Sequence, residues 1–189
     1  MLMKAVYEIR WHGRGGQGVV TVAQLLAEAA VREGKYAIAI PYFGAERRGA
    51  PVVASNRISD KPIRSRSSVK EPDVVVVLDP NLPFMVDVTE GLREGGLLVI
   101  NAPSPNNLPF KGLKAAVVDA TGIALSLGLK LAGLALVNMP MLGALIRATN
   151  IVSLESITAV VKNRWSRRVG ELNVKGIIEA YNKVQVVNL

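Results

Sequence analysis

The sequence predicts an α/β fold, an open and mostly parallel sheet flanked by helices, with a helical carboxyl-terminal portion. Three observations carry this reading. Segments whose apolar residues alternate with a period of two take turns along the chain with segments at helical spacing. Asp73-Val-Val-Val-Val-Leu78 is a continuous apolar run, the mark of a strand covered on both faces. A glycine-rich loop stands between the first strand and the first helix.

Taken in order, residues 5–11 (AVYEIRW) alternate as a half-buried strand should and run straight into the glycine loop. Residues 19–32 set Val19, Val22, Ala23, Leu26, Ala29 and Ala30 at helical spacing, and Gly34 stops that helix. Strands are expected at 36–40, ended by Pro41, and at 52–58, before a polar stretch to Lys70. The valine run follows, ended by Asp79-Pro80, and a helix is expected over 84–94. Gly95-Gly96 turns into a buried strand at 97–100; after a Pro/Asn loop over 102–109, a short strand lies at 115–118. Helical patterns occupy 121–131, 141–149, 154–164 and 171–181. With no internal repeat or composition break, residues 1–189 read as a single domain.

Composition narrows the function classes. Half of the residues are hydrophobic (50%), 20% are charged, and the mean hydropathy is +0.29, which excludes a disordered chain. The longest uncharged apolar run, 131–146, contains Asn138 and Pro140 and falls short of the roughly 20 residues that span a bilayer. Glu8 and Arg10 stand where a signal peptide would be apolar, so a cytoplasmic location away from membranes is expected. The absence of cysteine excludes disulfides, iron–sulfur ligation by this chain, thiolate zinc sites and cysteine nucleophiles. The single histidine, His12, removes multi-histidine metal sites and most hydrolase constellations. No catalytic residue and no metal ligand is therefore assigned. Asp87, Glu90 and Glu94 could share a helical face, read as a solvated surface.

The net charge of +8 is unevenly spread. From Arg47 to Lys70 the bases Arg47, Arg48, Arg57, Lys61, Arg64, Arg66 and Lys70 face one acid, Asp60, and Lys162, Arg164, Arg167 and Arg168 form a second cluster. Such stripes can bind nucleic acid, a phosphorylated small molecule or an acidic partner. Nucleic acid is disfavoured, because no aromatic residues interleave the bases and no recognition motif is present.

The loop Gly13-Arg14-Gly15-Gly16-Gln17-Gly18 satisfies G-x-G-x-x-G, a weak match by itself. Its confirming feature for a dinucleotide is missing, since the second strand ends in Ile40-Pro41-Tyr42 with no acid to hold a ribose. No Gly-Lys-Ser/Thr follows, so it is not a nucleoside triphosphate loop either. Two readings stay open: a tight turn that only packs helix on strand, and an anion site or a loop pressed against a cofactor-bearing partner. Arg14 favours something negatively charged, and Arg14, Gly15, Gly16, Gln17 and Gly18 are the candidate anion-facing residues. His12 reads as a hydrogen-bonding partner of a nearby loop, and Met139, Met141 and Leu142 read as core. Tyr42-Phe43-Gly44 followed by Glu46-Arg47-Arg48-Gly49 combines packing with charge, which makes Tyr42, Glu46, Arg48 and Gly49 candidates for an interface or ligand rim.

The order of these motifs carries a resemblance. The glycine loop at 13–18, Pro41-Tyr42-Phe43-Gly44-Ala45-Glu46-Arg47-Arg48-Gly49-Ala50-Pro51, Pro72-Asp73 with its valines, Gly95-Gly96 with Asn101, and Asn138-Met139-Pro140-Met141-Leu142-Gly143-Ala144 follow in sequence. Over nearly its whole length the chain resembles the gamma subunit of 2-oxoacid:ferredoxin oxidoreductases such as pyruvate synthase. Gly49-Ala50-Pro51 looks like the pyruvate type rather than the 2-oxoglutarate type, and the Tyr-Phe-Gly-x-Glu-x-Arg-Gly block resembles the pyruvate type more than the indolepyruvate type; an indolepyruvate or 2-oxoisovalerate enzyme is the alternative within the family, and Ala45 stands where many members have proline. The resemblance implies a Rossmann-like module in an enzyme that oxidatively decarboxylates a 2-oxoacid to acyl-CoA and carbon dioxide, with ferredoxin as electron acceptor. It implies alpha, beta and delta partner subunits that carry thiamine diphosphate and 4Fe–4S clusters. Coenzyme A would be a ligand shared between chains, with no cofactor held by this chain alone. The glycine loop would face the coenzyme, with Glu46, Arg48 and Gly49 at the subunit or coenzyme rim. A stand-alone nucleotide-binding protein and a pure scaffold remain the alternatives from other classes.

Overall fold

The computed structural model describes residues 6–42, 49–131 and 133–189. Strand β1 (Tyr7–Arg14) buries Ile9, Trp11 and Gly13 on one face and turns Glu8, Arg10, His12 and Arg14 to the other. Helix α1 (Val19–Arg32) presses Val19, Val22, Ala23, Leu26, Ala29 and Ala30 against the sheet. β2 (Tyr36–Pro41) and β3 (Pro51–Ser59) form an antiparallel hairpin, and β3 is also antiparallel to β1. β4 (Val74–Val77), β5 (Leu97–Asn101) and β6 (Lys114–Val118) continue parallel to β1, and β9 (Gln185–Asn188) closes the edge antiparallel to β6. The sheet order is β2-β3-β1-β4-β5-β6-β9, and β2 runs in the common direction of β1, β4, β5 and β6.

The other helices are α2 (Ala120–Ser126), α3 (Asn138–Thr149), α4 (Leu154–Arg164) and α5 (Arg167–Lys183). All five described helices pack on one face of the sheet, over Ile9, Trp11, Val74, Val76, Val99 and Ala116. The opposite face, with Val75, Val77, Leu98, Ile100 and Val117, is covered by connecting segments that contribute Leu82, Val88, Leu92, Leu108 and Phe110. The valine run is thus fully buried on both sides, as its composition predicts.

Two expected elements differ, and one strand of the main sheet is unpredicted. The helix predicted over 84–94 does not form; a single 3-10 turn, Leu82–Phe84, is followed by turns. Arg10 takes the carbonyls of Val88 and Glu90 that a helix would use in its own ladder. Asp87 accepts from the amide and hydroxyl of Thr89 at 2.9 and 2.7 Å, a local turn that competes with helix. Asp87, Glu90 and Glu94 consequently share no helical face. The helix predicted over 121–131 stops at Ser126, where Gly128 takes a left-handed turn (φ 69°), and β7 (Lys130–Leu131) pairs with β8 (Leu134–Ala135). Strand β9 lies beyond the last predicted helix, in a stretch to which the periodicity assigned nothing.

Candidate anion site at the glycine loop

β1 delivers the chain at its carboxyl end into the glycine loop, and α1 starts immediately after it. Gly18 is the N-cap in the left-handed region (φ 74°), so α1 begins with no side-chain cap and with no acid in its first turn. Its leading amides therefore have no partner within the helix, and they form the positive end of the helix dipole. Gly13 is required by packing: a Cβ there would stand 2.5 Å from Val19 Cγ2. On the far side Asn138, at the start of α3, donates Nδ2 to the Gly18 carbonyl at 3.4 Å.

Gln17 shapes the loop from within. Its Oε1 accepts from the Arg14 amide at 2.8 Å, and its own amide donates to the Arg14 carbonyl at 3.0 Å. Arg14 is anchored by Nε to Asp79 Oδ2 at 2.9 Å, an ion pair whose side chains are 25% and 12% exposed. Its Nη1 reaches the Gly49 carbonyl at 3.2 Å and its Nη2 the Met85 sulfur at 3.0 Å, both near solvent. Gly15 donates to the Ala50 carbonyl at 2.8 Å, and Gly49 donates to the Gly15 carbonyl at 3.2 Å.

The structure thus brings together Arg14, Gly15, Gly16, Gln17 and Gly18 with one predicted rim residue, Gly49. Glu46 and Arg48 lie outside the described residues. Tyr42 is described, and its hydroxyl is engaged with the β3–β4 connection: it accepts from the Val69 amide at 2.6 Å and from Ser55 Oγ at 3.3 Å. Sequence reasoning missed Asp79 and Asn138. Asp79 read only as the end of a strand, although its place beyond the carboxyl end of the strand next to β1 is where α/β sheets gather ligand-binding groups. Exposed apolar side chains flank the loop, with Met85 touching Arg14 and Leu134 nearest to Gly16.

Below the loop on the same face of β1, His12 Nε2 accepts from Arg10 Nε at 3.0 Å. Burial, reinforced by the Arg10 charge and opposed by Asp87, pushes the His12 pKa down to about 4. An unfolded histidine titrates near 6.5, so between 6.5 and 4 only the unfolded chain takes up this proton. Stability is expected to fall as pH drops through that window, by up to about 3 kcal/mol from His12. Chemical denaturation at pH 7 and 4.5 of the parent and His12→Gln checks this; an equal pH loss in both would exclude His12 as the source.

The comparisons with known proteins agree with this architecture. Residues 8–183 match the family model described as pyruvate ferredoxin/flavodoxin oxidoreductase. The chain belongs to that family. It is 51% identical to the pyruvate/ketoisovalerate oxidoreductases common subunit gamma of Thermococcus kodakarensis, over 96% of this chain and 99% of that protein. It is 46% identical to pyruvate synthase subunit PorC of Methanothermobacter thermautotrophicus, over 94% and 96% of the two chains. The crystal structure of pyruvate oxidoreductase subunit PORC of Thermotoga maritima superposes with a TM-score of 0.84 at 41% identity, covering 98% of this chain and 100% of that one. The chain is a gamma-type subunit of an oxidoreductase complex of this family.

Most of the motifs that carry the resemblance have structural tasks in this gamma subunit. Asp73 Oδ2 accepts from the Glu8 amide at 2.8 Å, which fixes the start of the valine strand beside β1. Asn101 Nδ2 donates to the Leu78 carbonyl at 2.8 Å and to Thr121 Oγ1 at 2.9 Å, tying together the ends of β4, β5 and the start of α2.

Proposed function

We infer that this gamma subunit lends its glycine loop to a coenzyme A site completed by other chains, in an enzyme that oxidatively decarboxylates pyruvate and passes the electrons to ferredoxin. The observation that carries this reading is the amino end of α1. It is free of any side-chain cap or acid, and it stands beside an arginine held in place by Asp79. The residues fit an anionic group. Gly16 and Gly18 both take positive φ (96° and 74°), and the two outer nitrogens of Arg14 have only a carbonyl and a weakly accepting thioether to give up. Bound there, coenzyme A would supply the thiol that accepts the acyl group. Arg14 and the α1 amides would hold its phosphate charge and orient it.

The chain itself is read as non-catalytic. Thiamine diphosphate and 4Fe–4S clusters are assigned to alpha, beta and delta subunits, in keeping with a chain that has no cysteine. Among the described residues no group of three or more His, Asp or Glu gathers to hold a metal ion. Pyruvate leads as the 2-oxoacid because the relatives are named for it, with ketoisovalerate second through a subunit common to two enzymes. A cytoplasmic complex is favoured, and no described helix is long and apolar enough to cross a membrane.

A stand-alone dinucleotide-binding protein finds less support. β3 intervenes between β1 and β2, so the end of β2, where such proteins hold a ribose, is moved one strand away from the glycine loop. In the assembled enzyme, Arg14→Ala is expected to raise the KM for coenzyme A about tenfold while kcat changes little, as loss of a charge-assisted bond to an anion should. An unchanged KM would remove Arg14 from the ligand shell. Unchanged KM values for substitutions throughout 14–18 would leave the loop a scaffold.

A further inference from the structure

The sheet leaves the outer edge of β2 open. β2 pairs only with β3, in a register that sets Tyr36 against Ser59, Ile38 against Arg57 and Ile40 against Ser55. Two residues further in the same register, the Tyr42 amide donates to the Val53 carbonyl at 3.1 Å. Bonded and unbonded pairs alternate along an antiparallel ladder, so Tyr36, Ile38 and Ile40 direct their main-chain groups to β3, while Ala37, Ala39 and Pro41 turn theirs outward. Among the described residues no hydrogen bond reaches the amide or carbonyl of Ala37 or Ala39. Pro41 has no amide hydrogen and ends the row. The side chains are left open as well. Ala37 and Ala39 pack on the helix-side core, whereas Ile38 and Ile40, half-buried on the opposite face, belong to neither core cluster, and Tyr36 beside them is 48% exposed. Over β3 that face is covered by the β3–β4 connection, which Arg57 ties down by donating to the carbonyls of Ser65, Ser67 and Ser68 at 3.2, 2.7 and 3.3 Å. Lys35, the charge next to β2, is turned back, with its Nζ donating to the Ile151 carbonyl at 2.6 Å and to Glu33 Oε2 at 3.1 Å.

We propose that β2 is a dimerisation edge, to which β2 of a second copy of this chain adds antiparallel about a two-fold axis at Ile38. Natural sheets guard an open edge with charges, a bulge or an internal proline, and between Tyr36 and Ile40 β2 carries none of these. The opposite edge, β9, is only four residues long and has Gln185 and Asn188 at its ends. Outward amides and carbonyls at this spacing are matched by an extended strand. A second β2 matches them from both sides at once. With Ile38 opposite itself, Ala37 of each copy lies opposite Ala39 of the other, and each of these two pairs can exchange both main-chain bonds. An axis at Ala37 would instead set Ala39 against Lys35, whose amide is bonded to the Ala30 carbonyl. An axis at Ala39 would set Ala37 against Pro41, which has no amide hydrogen. In the register centred on Ile38 the side chains form one apolar stripe across the seam, Ile38 against Ile38 with Tyr36 against Ile40 on either side. The seam carries no charge, which suits two chains whose net charge of +8 makes them repel elsewhere. Nothing in this edge depends on the coenzyme A reading.

The test is the oligomeric state of the full chain by sedimentation velocity from about 1 to about 100 μM, a range suited to a small interface. The parent is expected to pass from monomer to dimer across it. Ile38→Lys and Ile38→Glu should each weaken the dimer at least about tenfold, because each new charge meets its own like across the axis. An equal mixture of the two variants should dimerise again, with opposite charges now facing each other. Val186→Lys, on the β9 edge where Val186 is 51% exposed, should follow the parent. The chain has no cysteine, so Ile38→Cys adds a single thiol; at the spacing of about 4.5 Å between facing Cα atoms of an unbonded pair, mild oxidation should link two chains. That readout stands even if a charged variant fails to fold. A parent that stays monomeric, or charged variants that dimerise as the parent does, would overturn the proposal. So would a mixture that stays monomeric although both variants melt with the parent, or Ile38→Cys chains that do not cross-link. A monomeric parent whose Ile38→Lys variant no longer joins the remaining subunits would give the edge to another subunit instead of a second copy.

Discussion

Replacing Glu8 by alanine is expected to remove about 3–5 kcal/mol of folding stability, the usual cost of breaking a buried ion pair from one side. Its carboxylate accepts from Arg57 Nε at 2.8 Å and from Arg93 Nη2 at 3.0 Å, and the Glu8 and Arg57 side chains are only 14% and 8% exposed. Without Glu8, Arg57 keeps its three serine carbonyls but loses the charge that compensates it where little solvent can help. Equilibrium denaturation reads the loss, and tryptic cleavage at Arg64 and Arg66 reads its local consequence, because the connection is organised around Arg57. Glu8→Leu combined with Arg57→Met should lose less than Glu8→Ala alone, since no orphaned charge remains. A loss under about 1 kcal/mol for Glu8→Ala would mean that solvent compensates Arg57 after all.

This network marks where sequence periodicity stops being informative. The alternation over 5–11 correctly separates Ile9 and Trp11 from Glu8 and Arg10, though β1 runs on to Arg14, through the first two residues of the expected loop; α1 and α4 have the predicted limits, 19–32 and 154–164. Alternation says nothing about what covers the polar side. Strands interleaved with helical patterns predict a sheet flanked by helices without saying which face they take, and the face of Glu8 and Arg10 is covered by turns. The decisive interactions there are between residues far apart in sequence, such as Arg10 with the carbonyls of Val88 and Glu90, and they override a segment that looks helical locally. Only 3.6-residue spacing, and no tertiary partner, entered the expectation for 84–94.

The glycine loop was legible in outline for a physical reason: a tight turn between strand and helix restricts residue type locally. Its electrostatics were not. The partner that fixes Arg14, Asp79, lies 65 positions away and follows a different strand. Likewise Arg57 reads as one more base of a positive stripe, whereas its guanidinium is withdrawn into the fold and leaves Lys61, Arg64, Arg66 and Lys70 as the exposed charge.

Gly143 turns one of the resemblance motifs into a stability prediction. It sits inside α3 where that helix crosses α5, and a Cβ on it would stand 2.1 Å from the Ile177 carbonyl oxygen, 2.8 Å from the carbonyl carbon and 3.0 Å from Cα. All three obstacles are backbone, so the two helices would have to separate. Gly143→Ala is expected to cost about 3 kcal/mol, at the upper end of overpacking, and to lower Tm by roughly 6–12 °C for a chain of this length. Helix propensity acts in the opposite direction, since alanine is favoured over glycine in a helix interior by about 0.5–1 kcal/mol. Gly176 on α5 separates the two effects: a Cβ there meets only side-chain atoms, Leu129 Cδ1 at 3.0 Å and Pro140 Cγ at 3.4 Å. Gly176→Ala should therefore be near neutral or stabilising in the same thermal scan. If Gly143→Ala melts at or above the parent, the α3–α5 crossing is looser than the backbone contact requires, and the glycine of the motif owes its place to something other than this packing.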